Sequence, residues 1–460
     1  MDSDPYSEEK DEECGVIAIY SKKGQDVAPL LYRSLVALQH RGQDAAGFAI
    51  YHDGKIDLHR GVGLVNEIFN EKDMQAKGNF GIGHTRYPTI GKCRVCDVQP
   101  TITGEIAVAH NGHIANYNDI KKEAHENGID FESTVDSEPM GYLLHGHNED
   151  VEKGVRTVME KLEGAFSDVS IHNGRLVVFR DRFALRPLVW GENDDLICFA
   201  SESVALDINN VPYKGEVKGG EMIIIENNKL YRKQLIEERR RYCMFEYVYF
   251  SRPDSIINGK GVFEVRKRLG ETLAKEAPVK ADVVVPVPDT SRTAALAYAT
   301  ALGIEYEEGL IKNRYIGRTF IMPDQKAREF AVKQKLNPVR QVISGKRIVL
   351  FDDSIVRGTT LKGIVSMVRT AGAKEIHLRI TCPPVISPCY YGVDMPTYKE
   401  FIANKKTIDE IREHLGADSL SYISLQGLKE AIGLPVCTGC LTEEYHTDYI
   451  RKLAEDEKTR

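Results

Sequence analysis

Two adjacent carboxylates, Asp352 and Asp353, close the apolar run Ile348-Val-Leu-Phe351, and Ser354, Arg357, Gly358, Thr359 and Thr360 follow within a few residues. The pattern reads as a strand ending in two acids, a turn of small hydroxyl residues, and a helix start. Backbone N–H groups at such a start, with hydroxyls beside them, can hold a phosphate. The paired carboxylates can hold ribose hydroxyls and a magnesium ion next to it. A Walker loop is a different device, and its G-x-x-x-x-G-K-[ST] spacing is absent. A second turn, Pro286-Val-Pro-Asp289-Thr290-Ser291-Arg292, again lies between strand and helix. Beyond it Lys312, Arg314, Arg318, Lys326 and Arg328 cluster around Gly317. Such cations suit a loop that folds over a pyrophosphate and excludes water. Lys333, Lys335 and Arg340 could add to the same field, with no contact assigned to them.

Cys14 stands between an acidic leader and a Gly-strand entry. Residues 1–13 hold seven acids and one Lys and no apolar segment, so they are no secretory signal and have nothing to fold around. With this leader removed as a propeptide, Cys14 becomes the first residue. Its α-amine, with a pKa of about 7.7–8.0, can then act as base for its own thiol. Four motifs accompany it: Gln39-His-Arg41-Gly-Gln-Asp44, His84-Thr-Arg86-Tyr-Pro88, His110-Asn111-Gly112 and Thr134-Val-Asp136-Ser-Glu138.

Four of the nine cysteines, Cys243, Cys389, Cys437 and Cys440, could hold zinc or an iron–sulfur cluster, or stay as thiols, and their dispersed spacing does not decide between these. Cys93 and Cys96 could form a metal clip or reversible disulfide, or have no special role. Cys198 and Cys382 read as ordinary buried residues, although Cys382 is near enough to Cys389 to be a rival ligand. The odd count argues against full pairing, the two Cys-x-x-Cys pairs point toward metal or redox chemistry in a reducing compartment, and with no secretory signal a cytoplasmic location is expected.

The elements that must position these groups fall into two rhythms. Cys14 to about residue 225 reads as short strands and Gly-rich turns: Gly15–Tyr20, then 47–51, 81–84, 106–110, 175–179, 196–200 and 221–225. Helices are expected over Val27–His40, from its apolar stripe at 27, 30, 31, 35 and 38, and near 137–146 and 151–163. That is a layered α+β pattern with antiparallel sheets. The charged stretch Glu237-Glu-Arg-Arg-Arg-Tyr242 marks the boundary, so the chain divides into a leader 1–13, a domain 14–235 and a domain 236–460. In the second, strands 283–286, 347–351 and 375–381 alternate with helices 291–302 and 359–371, which indicates a parallel, doubly wound sheet. Short helices and a Cys-x-x-Cys turn follow over 397–460. No run of about 18 apolar residues exists, which excludes a helical membrane span. Lys plus Arg total 61 against 68 for Asp plus Glu. That balance has the wrong sign for a chain whose whole surface binds nucleic acid.

The segment 348–360 resembles the signature of the type I phosphoribosyltransferases, which use phosphoribosyl pyrophosphate (PRPP). Cys14-Gly15 with its four accompanying motifs resembles the N-terminal-nucleophile, or type 2, glutamine amidotransferases, whose fold is a four-layer αββα sandwich. Together, from Cys14 to about Gly439 and including the joint Phe245–Ser255, they resemble the amidophosphoribosyltransferase family. The resemblance implies Cys14 as nucleophile, Asn111 and Gly112 as the oxyanion hole, and Arg86 and Asp136 as holders of the glutamine α-carboxylate and α-ammonium. Arg41 would support the site without touching substrate. It implies PRPP contacts from Asp352, Asp353, Ser354, Arg357, Gly358, Thr359, Thr360, Lys312 and Arg318, with Mg2+ near Thr290, Asp352 and Asp353. One branch of the family carries a [4Fe–4S] cluster on cysteines at the positions of Cys243, Cys389, Cys437 and Cys440. The resemblance also implies inhibition by purine nucleotides and a homodimer or homotetramer. Related chains carry sugar-isomerase or ATP-pyrophosphatase second domains, but the S-G-G-x-D-S pyrophosphatase loop is absent here. Two other readings remain: a PRPP-dependent base transferase with an inactive first domain, and a PRPP-sensing regulator. The regulator would need a basic winged-helix domain, and nothing basic of that size precedes residue 240.

Overall fold

The computed structural model describes residues 14–87, 94–313, 336–395 and 397–459. The leader, Cys93, Arg318 and the basic residues from Arg314 to Lys335 lie outside the described residues.

The first half is two stacked antiparallel sheets. One is built from β1 (Gly15–Ser21), β2 (Ala45–His52), β3 (Lys55–Val62), β4 (Phe80–Arg86), β9 (Val189–Glu192), β10 (Leu196–Ala200) and β11 (Tyr213–Glu216), in the order β11-β9-β10-β1-β4-β2-β3. The other is built from β5 (Thr101–Thr103), β6 (Ile106–Ile114), β7 (Gly164–His172), β8 (Arg175–Arg180), β12 (Glu221–Glu226) and β13 (Lys229–Gln234), in the order β13-β12-β8-β7-β6-β5. Alternation in β1 shows why the layers form. Val16, Ala18 and Tyr20 pack into the space between the sheets with Ala107, Ala109, Val169 and Ile171. Ile17 and Ile19 face the other way, onto Leu31 and Leu35 of the helix Ala28–Ala37. The helices Glu138–His145 and Val151–Lys161 cover the outer face of the second sheet through Met140, Leu144, Val155 and Val158. The result is the four-layer αββα order.

Each strand read from the sequence lies within one of these elements. One central strand was missed because it has polar residues at core positions. β7, Gly-Ala-Phe-Ser-Asp-Val-Ser-Ile-His, is buried along its whole length, so Ser167, Asp168 and Ser170 break the apolar pattern of a strand that is nonetheless central. β3 and the helix Tyr117–Glu126 were also missed: Lys55, Asp57, His59 and Arg60 break up the half-buried β3, and the helix is mostly exposed and polar.

In the second half five parallel strands run in the spatial order Glu305–Tyr306, Val283–Pro286, Arg347–Asp352, Glu375–Ile380, Ser419–Tyr422. Numbered along the chain this is 2-1-3-4-5. In such sheets ligands bind beyond the carboxyl ends of the strands, where the order reverses. Here that crevice lies between Val283–Pro286 and Arg347–Asp352. The long helix Val262–Glu276, with Leu269 and Leu273, and the helix Thr359–Thr370, with Leu361 and Val365, pack on opposite faces. One apolar cluster runs without a break from Ile17 and Leu35 through Phe245 and Phe250 to Val349 and Phe351, so the two halves share a core. No described helix is long and apolar enough to cross a membrane.

Candidate active sites

Cys14 immediately precedes β1, whose Gly15 pairs with Thr85. A Cβ on Gly15 would lie 2.8 Å from Thr85 Oγ1, so a larger residue would have to displace Thr85. The Cys14 carbonyl accepts from Arg41 Nε at 3.1 Å. Arg41 is buried and clasped by two acids: Nη1 donates to Glu202 at 2.6 Å and to Glu246 at 3.0 Å, and Nη2 to Glu246 at 2.8 Å. Burial works against the Glu202 charge, but His40 and Arg41 hold its carboxyl well below the usual range. The main chain of Cys14 is thus fixed by an ionised buried network.

Arg86 ends β4 on the face of Phe80 and Ile82, and Asn111 continues the face of Ala107 and Ala109 on β6. Both faces look into the space between the sheets. Arg86 Nη1 and Asn111 Nδ2 are buried and lack a hydrogen-bond partner among the described residues. A buried unmade hydrogen bond costs about 1–3 kcal/mol. Two orphaned donors on facing sheets therefore leave room for acceptors that the described residues do not supply, such as a carboxylate and a developing oxyanion. Gly112 follows at φ 144°, where a Cβ would meet the Ala165 carbonyl oxygen at 1.9 Å. Asp136 accepts from the Ile114 N–H at 2.9 Å and lies 3.5 Å from both His110 and His113. Burial pushes Asp136 up, but these two imidazoles overcome it and hold the carboxyl well below its usual range. An ionised Asp136 suits an ammonium. Cys96, partly exposed, lies in the turn Val95–Asp97, which Asp97 ties to Thr134 through contacts of 3.0 and 3.1 Å.

Thr290, Ser291, Asp352 and Asp353 meet at the crevice of the parallel sheet. Thr290 Oγ1 donates to Asp353 at 2.6 Å and Ser291 Oγ to Asp352 at 3.3 Å. The Asp353 N–H donates to Asp352 at 2.9 Å, and Ser354 Oγ also donates to Asp353. An all-oxygen set with two carboxylates fits a hard cation such as Mg2+. Gly358, at φ 78°, begins the helix Thr359–Thr370 without a side-chain cap, which leaves Thr359 and Thr360 in the first turn at the anion-binding end. Arg357 is paired with Glu400 at 3.0 Å, a partner the sequence did not suggest. Lys312 Nζ lies 3.7 Å from Asp289.

The joint Phe245–Ser251 connects the two places. At one end Glu246 holds Arg41 and accepts from Ser251 Oγ at 2.7 Å. At the other, buried Arg266 donates to the carbonyls of Tyr247, Tyr249 and Ser251 at 2.8–2.9 Å. Burial pushes the Arg266 guanidinium down to about 10, while Asp353 and Glu202 both oppose that shift. Glu202, Glu246 and Arg266 were missed by the sequence reading. The only available signal was an acid or base embedded among apolar residues, as in Ala200-Ser-Glu202-Ser-Val204.

Cys243, Cys389, Cys437 and Cys440 line one small cavity with Leu185, Arg186, Met244, Phe245 and Val393. Parallel pairing of Tyr242–Cys243 with Val436–Cys437 puts Cys243 in register with Cys437. Hydrogen bonds from the N–H groups of Ile386 and Ser387 to the Cys440 carbonyl bring in the loop that carries Cys389. Cys382 is fully buried and is not among the residues lining the cavity. Among the described residues no three His, Cys, Asp or Glu groups gather closely enough to hold a single metal ion. The Cys389 loop also reaches the first site. Arg186 donates to the Tyr391 carbonyl at 2.6 and 2.8 Å and lies 3.9 Å from Glu246, and Gly392 abuts the Gly112 main chain.

Residues 90–207 match the glutamine amidotransferase domain family and 255–410 the phosphoribosyl transferase domain family. An amidophosphoribosyltransferase of Methanothermobacter thermautotrophicus is 47% identical over 98% of this chain and 98% of its own length. One from Bacillus subtilis is 42% identical over 95% of this chain and 94% of its own. Among solved structures, the glutamine PRPP amidotransferase from B. subtilis complexed with ADP and GMP superposes with a TM-score of 0.88 at 40% identity. It covers 95% of this chain and 98% of that one.

Proposed function

The chain belongs to the amidophosphoribosyltransferase family, and on that premise we propose that it is a glutamine-dependent amidophosphoribosyltransferase, catalysing the first step of purine biosynthesis. Glutamine, water and PRPP give glutamate, 5-phosphoribosylamine and pyrophosphate. The Cys14 thiol attacks the glutamine amide, ammonia leaves, and water clears the thioester. Asn111 and the Gly112 N–H receive the oxyanion, while Arg86 and Asp136 hold the α-carboxylate and α-ammonium. Ammonia then attacks C1 of PRPP as pyrophosphate departs, with inversion at that carbon. Thr359, Thr360 and Gly358 receive the 5-phosphate, Asp352 and Asp353 the ribose hydroxyls, and Lys312 and Arg318 serve the pyrophosphate. Thr290, Asp352 and Asp353 would hold Mg2+, which when bound would neutralise charge on the leaving pyrophosphate.

The observation that carries this reading is the shared joint. One buried segment, Phe245–Ser251, is held by Arg41 next to Cys14 and by Arg266, whose charge is coupled to Asp353. Its buried Phe245, Tyr247, Val248 and Phe250 suit a water-poor passage for ammonia, which would otherwise be protonated. A base transferase with an inactive first domain would have no use for the orphaned donors of Arg86 and Asn111.

We take the domains as 14–235 and 236–460, a division that the end of β13 at Gln234 supports. Removal of 1–13 frees the Cys14 amine. The four cavity thiols would hold a [4Fe–4S] cluster. A soft all-sulfur donor set with apolar walls suits it, and Arg186 at the cavity would offset its charge. The reaction has no redox step, so its role is structural or oxygen-sensing. Inhibition by purine nucleotides is supported by the ADP and GMP bound to the B. subtilis relative. A cytoplasmic homodimer or homotetramer completes the proposal. The test is anaerobic purified enzyme with glutamine, PRPP and Mg2+. Equimolar glutamate and pyrophosphate are expected, and glutamate release with no PRPP consumption would overturn the reading.

A further inference from the structure

The charged joint Glu237–Tyr242 does more than separate domains. Arg239 and Arg241 donate their N–H groups to the carbonyls of Arg182 and Phe183, both at 2.7 Å, and the Cys243 N–H donates to Leu185 at 3.1 Å. The segment is therefore extended, and alternate side chains share a face. Cys243 faces the thiol cavity. On that same face Arg239 and Arg241 line an adjoining cavity of about 580 Å3, lined also by Lys429, Arg451, Glu444, His446, Phe183 and by Tyr445, which borders the thiol cavity too. Its four cations come from three elements: the joint, the helix Leu425–Ile432 and the helix Asp448–Lys458. Glu444 is the one carboxylate among the lining residues. The nearby acids are weak partners. Glu237, 3.5 Å from Arg239, and Asp448, which pairs with Arg451, have side chains 76% and 95% exposed.

Four cations line one hollow with a single carboxylate among them, in a chain of net charge −7, and this local excess of positive charge favours an anion there. The volume falls in the range of about 300–1,000 Å3 typical of small-molecule sites. The walls also carry aromatic rings. His446 stacks on Tyr391 at 5.5 Å and lies 5.4 Å from the Phe183 ring, with its Nε2 buried and unpartnered. Burial, with Arg241 and Arg451 facing it, pushes that imidazole down to about 4, which leaves it a neutral ring in a positive field. Neither candidate active site contributes a residue to this cavity. We infer that the cavity bounded by Arg239, Arg241, Lys429 and Arg451 is a binding site for a small phosphorylated anion carrying at least two negative charges. Such an anion would tie the joint to the segment 434–446, which carries Cys437 and Cys440.

The source of the phosphate, an inorganic chain or a nucleotide, is separated by two probes. Amide hydrogen exchange of the full chain is followed over 434–446 with inorganic tripolyphosphate and, separately, with ADP. At ten times the Kd, local opening is suppressed about tenfold. That protection is expected to vanish in Arg241→Gln/Arg451→Gln and to persist in Asp353→Asn, which alters only the PRPP crevice. Should the double variant fold poorly, Lys429→Gln with Arg239→Gln serves the same purpose. Protection by both probes assigns the phosphate chain, and protection by ADP alone assigns a nucleoside phosphate stacked on the aromatic wall. No protection by either probe, or equal protection in the pocket variants, overturns the assignment.

Discussion

Gly392→Ala isolates the link between the Cys389 loop and the glutamine site. A Cβ at this position would lie 2.9 Å from Gly112 C and 3.0 Å from both Gly112 O and Arg186 Nη2. Ordinary carbon contacts are about 3.5–4.0 Å, so the loop or the strand must give by roughly 0.5–1 Å. The strand has little freedom, because Gly112 already abuts the Ala165 carbonyl. The backbone of Gly392, at φ 108°, adds strain of about 1–3 kcal/mol for a side chain. A displacement of about 1 Å at reacting groups costs up to about 10²-fold, and loss of one oxyanion donor about 10²–10³-fold. Glutamine-dependent phosphoribosylamine formation should therefore fall roughly 10- to 100-fold in kcat, with the glutamine KM changed less. Ammonia-dependent formation should stay near wild type. Gly416→Ala is the control. Its φ is 74° and nothing lies within 4 Å of its Cβ, so it carries strain without a clash and should cost stability alone. An unchanged glutamine rate in folded Gly392→Ala would refute the coupling, as would an equal loss of the ammonia rate.

Arg86→Gln should raise the glutamine KM by about 10- to 100-fold, the worth of a charge-assisted hydrogen bond, and leave ammonia kinetics intact; an unchanged KM would remove Arg86 from the carboxylate site. Anaerobic protein should be brown, with absorbance near about 400 nm that Cys389→Ser abolishes and Cys382→Ser retains. The opposite result would transfer the ligand role to Cys382. Burial raises the Glu216 carboxyl to about 7. A raised folded-state pKa gives stability that is complete below the unfolded value of 4.5 and is lost as pH rises through 7. Urea midpoints at several pH values between 4.5 and 8 should show this decline, and Glu216→Gln should flatten it; a parallel decline in the variant would assign it to other groups.

The chemistry legible in the sequence was the chemistry carried by single turns. Asp352-Asp353 with Thr359-Thr360, Thr290-Ser291 and Cys14-Gly15 each place their groups within a few residues, so a local pattern reports them. The supporting network was not legible, because its partners are far apart in the chain. Arg41 meets Glu202 and Glu246 across 161 and 205 residues. Cys243 and Cys437 were chosen by resemblance, and only the pairing of their strands explains why they are neighbours. The helix Val262–Glu276 escaped because buried Arg266 interrupts its apolar stripe of Val262, Val265, Leu269 and Leu273. That residue is charged because it holds the carbonyls of the joint. Likewise β7 hid behind Ser167, Asp168 and Ser170, polar residues in a strand buried along its whole length.

The central claim is two catalysts in one chain, joined by ammonia transfer. Four initial rates test it: Cys14→Ala and Asp353→Asn, each with glutamine and with concentrated ammonia at high pH. Cys14→Ala should lose the glutamine-dependent rate and keep the ammonia-dependent one. Asp353→Asn should lose both by about 10²-fold or more, since it removes charge that positions PRPP and Mg2+. A Cys14→Ala enzyme that still used glutamine, or a folded one that had lost its ammonia rate, would contradict the account.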